Sequence, residues 1–350
     1  MTVPPAYVWQ PSTAEIAARA GIDRDDVVRA DQNTSPFTPP WAAGVAAAAA
    51  TGVNEYPAAA YRELREAVAA HHGAEPEMVV PGAGADELIV LAARAWLGEG
   101  TTATAETPTY ALHRIASLQS GARLVEVARG DDLAFPAEGL AEAAAGASLT
   151  WLCIPGNPIG DRPPAADVDR VLDAAGGVVV LDAAYAEFSG DRWGPAVSAR
   201  DDLVVLGTLS KAFGLAGARV GYAVAPPTLA ELLDRLRPPG SLATASAALA
   251  VRAFRETAWM EEHVAAVEEL RAGLAAGLPA LGLQPLPSQA NFVLCEIGED
   301  AAGVADRLMG RGVVVRAFGA GHPLRRFLRF TVRLPGQQDR MLEALGKELS

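Results

Sequence analysis

Between residues 101 and 206 one pattern recurs five times: a short apolar run, a turn, and in most cases a helical stretch before the next run. The runs are Thr101 to Thr104, Leu124 to Val127, Thr150 to Ile154, Val178 to Leu181 and Leu203 to Leu206. Apolar runs this short that do not alternate with polar residues are strands buried on both faces, and the helices between them are the crossovers that parallel pairing needs. A chain built this way has few options, since such a sheet takes its ligands at the carboxyl ends of its strands. The expected class is therefore α/β, with a mostly parallel central sheet flanked by helices. Residues 46–236 form this large domain in our reading, residues 1–45 an N-terminal arm, and residues 237–350 a smaller α+β domain with strands at 291–294, 313–316 and 327–332.

The chemically suggestive residues fall at those strand ends. Thr107-Pro108-Thr109-Tyr110 follows the first run, Pro155-Gly156-Asn157-Pro158-Ile159-Gly160 the third, and Asp182-Ala183-Ala184-Tyr185 the fourth. After the fifth comes Gly207-Thr208-Leu209-Ser210-Lys211, with Arg219 eight residues beyond the lysine. A surface loop is usually more polar than the Ala-Phe-Gly-Leu-Ala-Gly-Ala that follows Lys211. The alternative is a partly desolvated amine, whose lowered pKa frees the nucleophilic form that makes a Schiff base. Upstream, Pro81 to Glu87 is a Gly-rich turn opening a helix, which is either a plain capped helix or an anion site built from free N–H groups. It does not satisfy G-x-G-x-x-G, because Glu87 holds the last position.

Composition narrows the partners. The 350 residues carry a net charge of -13, which argues against a nucleic-acid or anionic-membrane partner, so an anionic ligand has to be held by local arginines. Cys153 and Cys295 lack metal or redox spacing and sit in apolar runs, so no metal site is expected. The N-terminus has neither a basic nor an apolar targeting region, which reads as cytoplasmic.

Ser210 to Tyr222, Ser-Lys-x-x-x-x-x-Gly-x-Arg-x-Gly-Tyr, resembles the lysine segment of fold-type I (class I and II) pyridoxal-phosphate enzymes. The resemblance covers nearly the whole chain and is nearest to the histidinol-phosphate aminotransferases. It rests on Tyr56-Pro57, Gly84 to Glu87, Asn157 to Gly160, Asp182 to Tyr185 and the block around Lys211. It implies pyridoxal 5'-phosphate as cofactor and Lys211 as catalytic amine. Asp182 would keep the pyridine nitrogen protonated, Asn157 and Tyr185 would donate to the phenolic oxygen, and Tyr110 would stack on the ring. The phosphate would lie on the backbone of Ala85 and Asp86 with Thr208, Ser210 and Arg219. Tyr56 would reach the phosphate of a second subunit, which implies a homodimer with shared sites.

For the substrates, an amine or amino acid and a 2-oxo acid, the resemblance implies Arg329 on the carboxylate and Arg316, thirteen residues earlier, on a phosphate. Tyr7 and Asn33 would assist. Taken alone, Arg329 could equally belong to a solvated basic cluster with Arg325 and Arg326, Asp182 could be a helix cap, and Asn157 a turn residue. The chain departs from the family where Trp9-Gln10 replaces a Pro-Gly turn, Asp31 to Ser35 an Asn-Glu-Asn-Pro run, and Gly240-Ser241 a Tyr-Asn pair. Three other outcomes share this frame: a decarboxylase acting on a phosphorylated amino acid such as threonine phosphate, a biosynthetic enzyme of the same fold with altered specificity, and a non-catalytic effector-binding domain.

Overall fold

The structure, a computed structural model, describes residues 6, 7 and 9–349. The sequence reading of the first five residues lies outside this range.

The strands are β1 (Val28–Ala30), β2 (Val79–Gly82), β3 (Thr102–Thr107), β4 (Arg123–Ala128), β5 (Leu149–Cys153), β6 (Val178–Asp182), β7 (Leu203–Thr208), β8 (Gly221–Val224), β9 (Phe292–Glu296), β10 (Val313–Ala317) and β11 (Phe327–Thr331). Seven of them form one sheet in the order β2-β8-β7-β6-β5-β3-β4. β3 to β7 pair in parallel, and β8 alone runs against its neighbours. All five runs read from the sequence are strands of this sheet. The sequence reading includes β8 only within the lysine block, because its four residues lie ten positions beyond Lys211 with only a short 3-10 turn, Ala216–Ala218, between.

The continuous apolar character of the central strands follows from two-sided burial. Side chains alternate across a strand, and here the two faces meet two different cores. Leu203 and Val205 pack with Leu181 and Phe188 in one cluster, while Val204 and Leu206 pack with Leu88 and Trp151 in the other. Burial of each such side chain stabilises the fold by about 1.5–3 kcal/mol, so a polar residue at any of these positions is costly. The chain visits the edge strand β4 and returns on the other side of β3 to form β5. This reversal opens the crevice at the strand carboxyl ends.

A second, four-stranded sheet has the order β1-β10-β11-β9. Its first strand comes from residues 28–30, inside the segment read as an arm, and pairs in parallel with β10. The helix Thr13–Ala20 also packs on the helix Ala301–Gly310. Part of the N-terminal segment is thus woven into the second unit, which a three-residue strand is too short to announce. Cys153 and Cys295 are free and buried. Among the described residues there is no cluster of three or more potential metal ligands, and no helix is long and apolar enough to cross a membrane.

Candidate active site

The carboxyl end of the large sheet faces β11 of the small one, and the sequence-derived residues gather between them. Near β2, the helix Ala85–Trp96 begins without a side-chain cap, and Glu87 instead accepts the N–H of Ala83 at 2.6 Å. The first-turn N–H groups, Ala85 and Asp86 among them, therefore keep their capacity for an anion. Gly84 has φ +81 and a Cβ there would lie 2.6 Å from Arg219 Nη2, so only glycine lets that arginine come this close. A Cβ at Gly221 would lie 2.5 Å from the nitrogen of Ala85, which brings β8 against the same turn. Thr208 Oγ1 lies 3.0 Å from Ser210 Oγ and accepts the Ser210 N–H at 3.2 Å. The Asp86 side chain takes Arg219 Nη2 at 3.0 Å and the Tyr110 hydroxyl at 2.9 Å, which orients both.

Asp182 ends β6 nearly buried, with Oδ1 accepting the N–H of Ala184 at 3.1 Å. Its other oxygen lies 3.4 Å from Nε2 of His113, a residue that the sequence reading missed. The His113 ring stacks on Trp151, with ring centroids 5.0 Å apart, and Nδ1 lies 3.3 Å from the Thr109 hydroxyl. If Thr109 donates to Nδ1, the proton of the neutral ring rests on Nε2, which lies beside the carboxylate without hydrogen-bonding it. The spacing of four between Thr109 and His113, directly after a strand end, was the available signal.

Lys211 follows β7. Burial, with the Arg329 charge second, pulls its pKa from the ordinary value down to about 8. Its Nζ lies 3.4 Å from the carbonyl of Gln32 and 5.7 Å from the centre of the Tyr185 ring. The Tyr185 oxygen accepts Asn33 Nδ2 at 2.9 Å and Asn157 Nδ2 at 3.4 Å. Burial raises the Tyr185 pKa, so the phenol stays protonated and its own hydrogen remains available to a third group. Asn157 Oδ1 accepts Arg329 Nη1 at 2.6 Å, and Arg329 Nη2 reaches the carbonyl of Asp31 at 2.8 Å. Arg329 is 8% exposed and its Nε has no partner among the described residues, so it does not belong to a solvated cluster.

Behind the turn that carries Asn157 stands a second feature missing from the sequence reading. Arg129 donates to Glu106 Oε2 at 2.7 Å and to Asp161 Oδ2 at 2.7 Å, all from a buried guanidinium. The Asp161 backbone closes the turn by accepting the Gly156 N–H at 2.8 Å. Burial pushes Glu106 up to about 7 even with Arg129 beside it. Removing one partner of a buried pair usually costs about 3–5 kcal/mol, so Arg129 holds the turn firmly.

The remaining expected residues are placed differently. Arg316 is half-buried, is the register partner of Arg329 across β10 and β11, and has no acidic partner among the described residues. Asn33 is buried and engaged by Tyr185, Thr331 and Asn291, which makes it a tie between the arm and both sheets. Tyr7 is 40% exposed and packs edge-on against Trp9. Tyr110 presents its ring edge to His113. Tyr56 is 95% exposed and touches none of these groups.

A partly buried amine at a strand end, a carboxylate on the neighbouring strand and an uncapped helix start beside hydroxyls and an arginine are what pyridoxal phosphate requires. The residues present fit that group.

Comparison with known proteins agrees. The family model "Aminotransferase class I and II" matches residues 26–346. The histidinol-phosphate aminotransferase of Symbiobacterium thermophilum is 36% identical over 331 residues, covering 93% of this chain and 91% of that one. The enzyme of the same name from Caldanaerobacter subterraneus subsp. tengcongensis is 35% identical over 301 residues, 85% of each chain. The crystal structure of histidinol-phosphate aminotransferase from Sinorhizobium meliloti, in complex with pyridoxal-5'-phosphate, superimposes with a TM-score of 0.90 at 28% identity. It covers 98% of this chain and 95% of that one. The chain belongs to the class I and II aminotransferases, fold-type I enzymes whose cofactor is pyridoxal 5'-phosphate.

Proposed function

We propose that the chain is a histidinol-phosphate aminotransferase: it moves the amino group of histidinol phosphate to 2-oxoglutarate, giving imidazole acetol phosphate and glutamate, as a cytoplasmic homodimer. The observation that carries the substrate is the pairing of Arg316 with Arg329 in register across β10 and β11. Two like charges opposite one another in a sheet repel, so the arrangement is stable chiefly with an anion between them. A phosphate ester carried by the carbon beside the amine carbon places its anionic oxygens on the side where an amino acid carries its carboxylate, two bonds further out. Arg329, deep and tied to Asn157, suits the inner position, and Arg316 the outer one. The relatives' names point the same way.

When bound, pyridoxal phosphate supplies the aldehyde that takes the substrate amine and the electron-poor ring that makes the adjacent C–H acidic. Lys211 Nζ, uncharged in part at neutral pH because of its burial, takes that proton and gives it back. Asp182, beside His113, holds a proton on the pyridine nitrogen, while Tyr185 and Asn157 donate to the phenolic oxygen. Ala85, Asp86, Thr208, Ser210 and Arg219 bind the cofactor phosphate, and Tyr110 covers the ring. Tyr7 and Asn33 border the substrate.

The exposed Tyr56 completes the phosphate pocket of the partner subunit. Its neighbour Val53 is 80% exposed, and the alanine-rich helix Ala42–Ala50 has no buried residue, which suits a surface that a second copy covers.

The test is a half-reaction followed by cofactor absorbance. Arg316→Ala is expected to slow histidinol phosphate by about a hundredfold and glutamate by less than about threefold, because specificity follows contacts that only one substrate makes. Equal effects on the two would reject the phosphate-reading role.

A further inference from the structure

A cavity of about 280 Å³ lies behind the strands that carry Asp182 and Lys211. Its walls come from the end of the helix Arg62–His72, the segment after β6, β7 and β8, and the helix Thr257–Gly277. None of the residues assigned to the active site lines it. The apolar part is Val205, Met260 and Val264 with neighbouring alanines.

Two buried polar groups on this wall are left over by the fold, and an exposed arginine stands at its rim. Glu187 Oε2 and Trp193 Nε1 are buried without a hydrogen-bond partner among the described residues. Arg192 lies beside them and makes no ion pair or hydrogen bond with any described residue. Buried polar groups without partners are uncommon and point to a bound group. A simple cation would leave Arg192 and the indole N–H unmatched, and a simple anion would leave Glu187 unmatched. One ligand that satisfies all three carries an ammonium, a carboxylate and a compact apolar body. The volume, just below that of drug-sized pockets, excludes a nucleotide.

We propose that this cavity binds a free α-amino acid with a compact apolar or aromatic side chain, its ammonium on Glu187 and its carboxylate on Arg192 and Trp193. The site is separate from the catalytic one and does not depend on the substrate assigned above.

Its pH dependence follows from the groups that face Glu187. Burial pushes Glu187 up to about 7, whereas it pulls His71 down to about 4 and His72 to about 3 and raises Tyr222. Asp191 is taken by Arg162 and Ser189, and Arg192, Glu261 and Glu268 stand exposed at the rim. Glu187 is thus the group on this wall that changes charge near neutrality. The ammonium needs the carboxylate form, so affinity should rise about tenfold from pH 6 to pH 8, the ratio of ionised fractions for a group near 7.

The experiment uses holoenzyme reduced with borohydride, which blocks Lys211, titrated by calorimetry at pH 8 with L-leucine, L-phenylalanine and L-histidine. At least one is expected to bind saturably, one per chain. 3-Methylbutylamine and 4-methylpentanoate, each lacking one charge of leucine, are expected to bind at least tenfold more weakly than leucine or not at all. Glu187→Gln and Arg192→Gln should each weaken binding at least tenfold, and Val264→Trp should abolish it by filling the hollow while leaving every charge in place. Arg329→Ala should leave it unchanged. The proposal is overturned by absence of saturable binding for all three amino acids, by binding that survives both charge substitutions, by binding lost in Arg329→Ala, or by affinity that does not change with pH. The two leucine analogues and the pH series need no variant, so they decide the matter even if a substituted chain fails to fold.

Discussion

The two sheets meet at one site but prepare it differently. On the large sheet every side chain near Lys211 is held by another: Asp182 beside His113, Arg219 by Asp86, Tyr185 by Asn33 and Asn157, and the Asn157 turn by Arg129. On the small sheet Arg329 is held, while Arg316 stands opposite it with no acid of its own among the described residues. An end whose groups are mutually fixed is preorganised for one constant partner, which in our proposal is the cofactor. An end that leaves a charge unpaired is built for a partner that comes and goes. The difference teaches where substitutions in this enzyme should act uniformly and where they should discriminate between substrates.

The sharpest way to break the contrast is at Lys211. Lys211→Ala removes the proton carrier, so turnover with every amine should fall by roughly three decades or more. A loss confined to one substrate would place Lys211 with the discriminating end, against the comparison; purified variant assayed with histidinol phosphate and with glutamate answers this. The next effect is smaller. In cofactor-free protein the lysine titrates near 8, and a lowered lysine pKa means that the uncharged amine grows as pH rises. The rate at which apoenzyme captures pyridoxal phosphate should then rise about tenfold between pH 7 and pH 9, as a single group near 8 requires. A rate independent of pH over that range would mean that the partly buried amine is not the limiting group.

The smallest effect tests whether the preorganised end is complete within one chain. Tyr56→Phe removes one hydroxyl, worth about 1 kcal/mol, so cofactor should dissociate about fivefold faster with little change in melting temperature. Mixed dimers of Tyr56→Phe with Lys211→Ala chains should restore one site with wild-type retention. If retention in the mixture merely averages the two parents, Tyr56 serves its own chain.

Most of the residues we propose for the cofactor were legible as candidates because they sit directly after apolar strands, and a strand end is a position that a one-dimensional pattern can mark. Lys211, Asp182, Asn157 and the Gly84 turn all have such an address. His113, a few residues after β3, and Arg129, directly after β4, have similar addresses but carry no sign of their partners. They act from a helix and from beyond a strand edge, and their partners Asp182 and Asp161 are 69 and 32 residues away, so only the order of strands in the sheet brings them together. The same holds for β1, whose three residues carry no periodic signal and become a strand by pairing with β10, nearly three hundred residues on.

Sequence by itself determined the α/β class, the five buried runs and the residue types at their ends, because burial on two faces leaves a continuous apolar signature and the turns after it carry the chemistry. Tertiary structure alone decided that β8 runs antiparallel, that Arg316 faces Arg329, that Asn33 ties the arm to Tyr185, and that Glu187, Arg192 and Trp193 line one hollow. The tie of Asn33 to Tyr185 joins segments 152 residues apart, and the others, though nearer in sequence, depend on which layers pack together. Local propensity contributes little to such contacts, since they form only once the packing of whole layers has fixed which strands are neighbours.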